Sequence, residues 1–575
     1  MPEKKDSYPG WFEGELPADC YRSIFRWGDP KEYKHPNRRL YAMMKKVFKM
    51  TDEDFNKPVD LGLDPVVYDI PVKLTASQLE QLGKITGAEN IRTDAYTRLA
   101  TSYAKGMYDS IRLREKIIEN VPDAVLYPGS TEEIQQIVQF CSKEKIPLYV
   151  YGGGSSVTRG PEAVEGGITL DIRKRFNKII KLNPVNETVT VQPGISGPDL
   201  EAALQDAKKR FGTKHNYTCG HFPQSFEYSV VGGWVVTRGA GQNSTYYGKI
   251  ENIVISQEYV TPVGTIKTLE YPAKATGPDI DQIMIGSEGA FGILVSATLK
   301  LRRWMPENTR RFSFIFKNWA DARNALREIM QTEAGLPSVC RLSDPEETDI
   351  ALKLYGVEGT ILDTLIRVRG FKQGERCLFL GTADGSKAYT KMVYRNVRRI
   401  CRRYGALFTT SYVTRQWEKD RFRDPYLKDD LQDYKIIIDT MECSVNWEKL
   451  EHIYNSVRKF YKARPNTINM THISHCYPQG CNLYFIFISK FENLADFKEY
   501  QNGILDAIQA SGATMSHHHG IGKLFGPWIE GQIGKNEYEV FKVLKRHFDP
   551  DNIMNPGGTL GFDLPESVKR GKPAQ

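Results

Sequence analysis

Apolar positions recur with two periods along this chain of 575 residues. From Pro122 onward, short runs alternate with amphipathic stretches. Ala124-Val125-Leu126-Tyr127-Pro128 and Ile146-Pro147-Leu148-Tyr149-Val150-Tyr151 read as strands. Between them Ile134, Ile137, Val138 and Cys141 fall on one helical face. Ser130-Thr131-Glu132-Glu133 stands before that face and suits a capping box. Gly167–Ile172 and Glu187–Gly194 predict two more strands. Ser196-Gly197-Pro198 then opens a helix, with the proline in its first turn.

Before and after this region the texture differs. Aromatics and prolines (Tyr8, Pro9, Trp11, Phe12) open the chain. Arg38–Met50 places Leu40, Met43, Met44, Val47 and Phe48 at helical spacing. This predicts a helix docked by its apolar face or, alternatively, one lying on a membrane surface. Ala76–Gly83 predicts another helix, with Gly83 as its stop. Further on, Trp319–Gln331 predicts a helix, and Val339–Leu342, Glu375–Leu380 and Met441–Ser444 predict strands. These shifts divide an α+β chain into a mainly helical extension (1–115), a strand–helix domain (116–303), a more charged cap (304–511) and a closing segment (512–575). A chain this long cannot share one core.

Composition narrows the class. Hydrophobic residues make up 40% and charged residues 26%, as in ordinary globular proteins, and the net charge is +8. No basic stripe interleaves with aromatics, so nucleic acid is not expected as a partner. The mild excess suits an anionic substrate or an anionic membrane surface. Nine cysteines without a C-x-x-C point to free, mostly buried thiols in a reducing compartment. Cys476 and Cys481, with His472 and His475, match no standard zinc spacing. Met1–Asp6 begins no secretory leader, no run of ~18 apolar residues is present, and Pro573-Ala574-Gln575 is not a peroxisomal address.

Two features carry chemistry. The strand ending at Tyr151 runs into Gly152-Gly153-Gly154-Ser155-Ser156, where backbone N–H groups can converge on an anion. More glycine beside polar residues follows at 223–233, 237–242 and 286–293, as if the backbone wraps a large polar ligand. Near the end stands Ser516-His517-His518-His519-Gly520-Ile521-Gly522-Lys523. Consecutive residues cannot all face one way on a helix or strand. The triplet is therefore a loop packed into a polar site or a solvated turn. His221, before Phe222-Pro223, either lines the same site or packs.

Together the glycine blocks resemble the PCMH-type flavin domain of the vanillyl-alcohol-oxidase-like superfamily. The resemblance implies an α+β fold of a two-subdomain FAD-binding domain with a substrate cap. It implies that Gly152, Gly153, Gly154, Ser155 and Ser156, with Val150 and Tyr151 leading in, hold the pyrophosphate. Gln224, Ser225, Phe226, Glu227, Tyr228, Ser229 and Val230, and Thr237, Arg238, Gly239 and Ala240, would line it and the isoalloxazine. Glu288, Gly289, Ala290, Phe291, Gly292, Ile293 and Leu294 would take the adenosine side. Val157-Thr158-Arg159 follows the turn where some members tether flavin, which implies non-covalent FAD.

Two branches share this domain order. In 2-hydroxy-acid dehydrogenases, an H-x-x-x-G-N-L-H-like segment and an E-H-G-I-G segment bind a metal. Here Tyr484 and His518 stand where a metal-binding His and Glu would be, so no metal is expected. The alkyldihydroxyacetonephosphate synthase branch is similar at Val231–Val235, Thr276–Ile280 and Ser516–Gly520. It implies Tyr484 as the base, His517, His518, His519 and Arg341 as catalytic partners, and Lys428, Arg341 and Lys523 as phosphate partners. Lys428 stands where the family has arginine, and lysine lacks the bidentate fork. The implied reaction exchanges the acyl chain of acyl-dihydroxyacetone phosphate for a long-chain fatty alcohol through a flavin N5–substrate adduct, without net redox. Cations around Tyr484 are expected to lower its pKa from ~10. Arg415–Arg423 is either a solvated loop or a lid over an anion. The resemblance also implies a peroxisomal location, with cytoplasm as the alternative, peripheral membrane contact and a possible homodimer.

Overall fold

The structure, a computed structural model, describes residues 10–558 and 560–570. Tyr8, Pro9, Met1–Asp6 and Pro573-Ala574-Gln575 lie outside the described residues.

Two larger sheets and a two-stranded pair, Tyr217–Thr218 with Arg302–Arg303, make up the region from Ile91 to Arg303. The first has the order Ile91–Arg92, Ala124–Leu126, Ile168–Asp171, Leu148–Tyr151. Its last three strands are parallel, as a helical crossover requires. The helix Thr131–Glu144 supplies that crossover and buries Ile134, Ile137, Val138 and Cys141. The capping box closes on one side only. Ser130 Oγ accepts from the Glu133 N–H at 3.1 Å, but Glu133 accepts from the Gly129 N–H at 2.8 Å and pairs with Arg175. The second sheet is antiparallel, ordered Ile179–Asn183, Thr188–Val191, Ile293–Lys300, Val254–Thr261, Gly264–Lys267.

The cap is built on an eight-stranded antiparallel sheet. Ile468–Ile473, Gly480–Lys490 and Ile436–Asn446 lie side by side at one end of it. Their register sets Tyr484 opposite Glu442 on one neighbour and His472 on the other. Helices Trp319–Gln331 and Leu450–Ala463 pack on this sheet through Leu326, Ile329, Ile453 and Val457.

In the extension the docked reading of the first helix holds, and the end of the second helix departs from expectation. Arg38–Phe48 is a helix, and Leu40, Tyr41, Met43 and Met44 are buried against Leu431, Tyr434, Ile436 and Ile488. Its apolar face is spent on the cap, which rules out the membrane-surface alternative for this helix. The second helix runs from Ala76 to Thr86, past Gly83. Gly87, at φ +85°, ends it.

The closing segment returns to the first sheet. Leu148 N–H donates to Ile553 O at 2.7 Å, and Asn555 N–H donates to Leu148 O at 2.9 Å. All nine cysteines are free and buried. Among the described residues no helix is long and apolar enough to cross a membrane.

Candidate functional site

A cavity of about 360 Å³ lies between the glycine-rich loop and the cap sheet. On one side are Val150, Tyr151, Gly152, Gly153, Gly154, Ser155 and Ser156. The glycines there are required by approach. A Cβ on Gly153 would overlap the Tyr228 carbonyl oxygen, and Gly154 sits at φ +66° with the Tyr151 hydroxyl in the way. Gln224, Ser225, Thr237, Gly239, Ala240, Glu288, Gly289, Gly292, Ile293 and Leu294 also line the cavity.

Other residues expected at the cofactor turn elsewhere. Phe226 stacks on Phe422 at 5.3 Å, Glu227 accepts from the Tyr426 hydroxyl, and Tyr228 packs edge-on against Trp27. Ser229 Oγ accepts from Trp234 Nε1 at 2.8 Å, and Val230 packs where a Gly152 Cβ would go. Arg238 donates to Gln282 and Ile285 carbonyls. Ala290 and Phe291 belong to a hydrophobic core with Phe548. Polar loops of this kind alternate residues facing a ligand with residues that anchor the loop, and sequence spacing does not separate the two.

His221 is 1% exposed and lines the cavity. Neither ring nitrogen has a hydrogen-bond partner, although Trp234 packs on the ring at 4.7 Å. Burial, reinforced by Lys249, lowers its pKa to about 3, so the ring is neutral. A buried polar group without a partner is costly. Its orphaned nitrogens and the close glycine cradle both fit a large polar ligand in this cavity.

Tyr484 faces the cavity from the cap sheet. Its hydroxyl donates to Thr440 Oγ1 at 3.0 Å. His472 stacks on it at 4.9 Å, and His518 and His519 lie at 6.0 and 5.6 Å. The expected lowering of its pKa does not occur: burial pushes the phenol up to about 12. The reason lies in the neighbours. Burial lowers His517 well below the usual imidazole range and His519 to about 4. Arg341, the nearby arginine, is paired with Glu347 at 2.5 Å.

Two carboxylates, the buried Glu442 and the half-buried Glu288, anchor the His triplet. Glu442 accepts from Ser516 Oγ at 2.8 Å and from the N–H groups of His517, His518 and His519 at 2.8 to 3.1 Å. Successive N–H groups converging on one oxygen form an anion nest. Burial alone would raise this carboxyl, but His518 at 3.5 Å and its neighbours hold it well below the carboxylate range. At the far end, Glu288 accepts from the Ile521 and Gly522 N–H groups at 2.6 and 2.8 Å. One carboxylate comes from the cap and the other from the flavin-like domain, so the loop ties the two together.

His475 joins this cluster, with ring centroids 4.9 Å from His517 and 4.8 Å from His518. One nitrogen from each of these three rings lies within 4.8 Å of the others. Each ring is already engaged: His475 Nδ1 with Ser244 Oγ at 2.7 Å, His517 Nε2 with the Tyr477 hydroxyl at 2.8 Å, and His518 Nδ1 with His517 Nδ1 at 3.1 Å.

Of the phosphate partners expected from sequence, Arg341 and Lys428 line the cavity. Lys428 donates to the Lys105 carbonyl at 2.5 Å and lies 4.9 Å from the Trp27 ring. Lys105 also lines the cavity, and burial and Lys428 lower it to about 7. Lys523 is not among the lining residues. Its ammonium donates to Gly160 O and Asn555 Oδ1 at 2.9 and 2.8 Å, fastening the closing segment. The segment Arg415–Arg423 is mostly helix, Tyr412–Asp420, and Trp417 and Arg421 from it line the cavity. Arg421 packs against Phe222 and Phe422, and burial lowers it to about 10.

Sequence reading passed over Glu442, Asp439, Thr440 and Lys105. Glu442 sits inside an apolar strand, with nothing local to distinguish it. Only the cross-strand register with Tyr484 reveals it.

Comparison with known proteins adds the family. Residues 122–270 match the FAD binding domain, and residues 305–559 match the C-terminal domain of FAD linked oxidases. The FAD-linked oxidoreductase YgcU of Escherichia coli strain K12 is 32% identical, over 84% of this chain and 98% of that one. Alkyldihydroxyacetonephosphate synthase of Dictyostelium discoideum is 29% identical, over 97% of this chain and 95% of its own length. A solved alkyldihydroxyacetonephosphate synthase superposes with a TM-score of 0.79 at 26% identity, covering 93% of this chain and 99% of that one. A p-cresol methylhydroxylase, TM-score 0.61 at 15% identity, shares the fold.

Proposed function

Given that this chain belongs to the FAD-linked oxidoreductases, uses FAD and is similar to alkyldihydroxyacetonephosphate synthases over nearly its whole length, we propose that it makes a glycerolipid ether bond. The substrates are acyl-dihydroxyacetone phosphate and a long-chain alcohol, and the products are alkyl-dihydroxyacetone phosphate and a fatty acid. The observation that carries this reading is Tyr484, set in the cavity among His472, His518 and His519.

The cofactor would be held without a covalent link by the loop Gly152–Ser156, the backbone at Glu288–Leu294, and His221. When bound, FAD would supply an electron-poor ring that keeps the substrate carbon while the acyl group leaves. The chain's own residues handle protons and charge. Tyr484 is the group placed to move the substrate proton. It begins as a phenol, so its ionisation is coupled to ligand binding. Neutral His519, which lines the cavity, can donate or accept a hydrogen bond, which suits a departing carboxylate, and His517 positions its neighbour His518. Lys428 and Lys105 would meet the substrate phosphate as point charges, and Arg341, held by Glu347, would offer its guanidinium fork.

A second reading, oxidation of a 2-hydroxy acid, is favoured by the imidazole cluster of His475, His517 and His518. One experiment separates the two. The holoenzyme is given acyl-dihydroxyacetone phosphate with labelled hexadecanol and, separately and without oxygen, D-lactate. Labelled ether product with released fatty acid supports the synthase. Flavin bleaching by D-lactate with no ether product overturns it.

A further inference from the structure

We propose that Arg421 forms a second anion subsite in the cavity, one that binds the carboxylate of an apolar acid. Arg421 follows the helix Tyr412–Asp420 and lines the cavity together with Trp417 from that helix. Aromatic rings surround its guanidinium, Phe422 at 4.6 Å, Phe222 at 5.0 Å and Trp417 at 6.0 Å. Its backbone is fixed from the other domain. The Gln224 and Gln242 side-chain amides both donate to the Arg421 carbonyl, at 2.7 and 3.3 Å. Both glutamines also line the cavity. An arginine held by its backbone and by packed rings is preorganised, so it loses little freedom when a ligand arrives.

The charge of Arg421 has no counterpart in the protein. Nη1 donates to Asn243 Oδ1 at 3.2 Å, a neutral partner, and among the described residues no carboxylate pairs with it. Glu418, Asp384 and Glu201 are near enough to act on it, and each is committed elsewhere. Glu418 pairs with Arg311, Asp384 accepts from Thr309 Oγ1 at 2.8 Å, and Glu201 accepts from the Cys219 N–H at 2.9 Å. Burial lowers Arg421 only to about 10, so it stays charged at neutral pH. A charge withdrawn from water without a counterion is costly, and an anionic ligand in the cavity removes that cost.

The surroundings select the anion. Lys428 and Lys105 lie together, with the Lys428 ammonium on the Lys105 carbonyl, and two ammonium groups suit a dianion such as phosphate. Arg421 is one cation among aromatic rings, which suits a monoanion carried on an apolar body. Its planar fork matches a carboxylate. The identity of the acid rests on the ether-lipid reading: it would be the released fatty acid, met by His519 as it departs and held by Arg421 until it leaves the cavity. No bond is made or broken at Arg421.

The test is calorimetric titration of the flavin-loaded protein with decanoate, decanol and glycerol 3-phosphate. Decanoate should bind the wild type. Arg421→Met, which keeps the bulk of the stem, should weaken decanoate at least about tenfold, the scale of a lost charge-assisted hydrogen bond. Flavin content and the affinities for decanol and glycerol 3-phosphate should stay as in the wild type. Arg421→Lys keeps the charge without the fork and should fall between the two, and it carries the test if the methionine variant does not fold. Decanoate affinity equal to wild type in either variant overturns the proposal, as does a wild type that binds no decanoate. Flavin lost from a variant with native circular dichroism would assign Arg421 to the cofactor, and a selective loss of glycerol 3-phosphate binding would assign it to the phosphate; both also overturn it. Decanoate binding weakened as expected in a protein that forms no ether product keeps the subsite and removes only the functional reading.

Discussion

Both carboxylate oxygens of Glu442 accept the backbone N–H of His517, at 2.8 and 2.9 Å. The histidine loop is therefore held by its backbone, with the His518 and His519 imidazoles lining the cavity and His517 turned to the Tyr477 hydroxyl. A buried charge fixes the loop where a neutral acceptor could not satisfy so many donors.

Glu442→Gln should destabilise the protein by about 3 kcal/mol, as expected when a buried, hydrogen-bonded charge is lost. An amide NH₂ would then face backbone N–H groups. Urea unfolding of the holoenzyme measures the loss. A change within error would show that the nest adds no stability.

Tyr484→Phe removes only the hydroxyl and its bond to Thr440. Turnover should fall by at least ~10²-fold, the range for losing a proton-transfer group, while flavin absorbance is kept. The pH–rate profile should lose its tyrosine-dependent limb. Retained activity would exclude Tyr484 from the chemistry.

Gly153→Ala would drive a methyl into the Tyr228 carbonyl oxygen. Because backbone stands there, the loop must shift. Flavin content after purification should drop sharply, with secondary structure by circular dichroism unchanged. Full flavin occupancy would show that the loop does not cradle the cofactor.

Lys428→Met should raise the KM for the phosphorylated substrate by about tenfold or more and leave flavin binding intact, since a charge–phosphate contact is worth ~1.5–3 kcal/mol. An unchanged KM would assign the phosphate to Arg341 or Arg421 instead.

His221 and His519 have folded-state pKa values lowered by burial to about 3 and about 4. Unfolded histidine titrates near ~6.5. Below that pH the unfolded chain takes up protons that the folded chain refuses, so stability falls as pH drops from ~6.5 toward ~4. The Glu442 carboxyl, held low, adds a loss of the same sign further into acid. Unfolding midpoints of the flavin-free protein at pH 7.5, 6 and 5 should decline in that order, and His519→Gln should flatten the slope.

The elements legible in sequence are those with strong local signals. Trp319–Gln331 forms between the residues that its period predicts, and the structure adds Asn318 as its cap. Strands near Ala124, Leu148 and Ile168 differ from expectation by one or two residues. The glycine-rich loop is equally local, since it needs only its own φ angles and missing side chains. Gly83 misled because a glycine inside a helix and one ending it look alike in sequence, and Gly87 lies four residues on. Lys523 misled because a lysine beside a histidine triplet can point either way. Its partners, Gly160 and Asn555, come from distant parts of the chain.

By itself, then, the sequence determined the two-domain α+β plan, the glycine cradle, and the candidacy of Tyr484 with His517, His518 and His519. The plan, the cradle and the His triplet follow from short-range periodicity and from which residue types are present, whereas Tyr484 stands out only through the family resemblance. Tertiary structure decided the electrostatics. It lowered His517 and His519 by burial, raised Tyr484 instead of lowering it, and paired Arg341 with Glu347. It also brought Glu442, His472 and His475 to the site by cross-strand register and domain packing. Charge in a protein depends on solvent exclusion and on neighbours remote in sequence, and both exist only once the chain has folded.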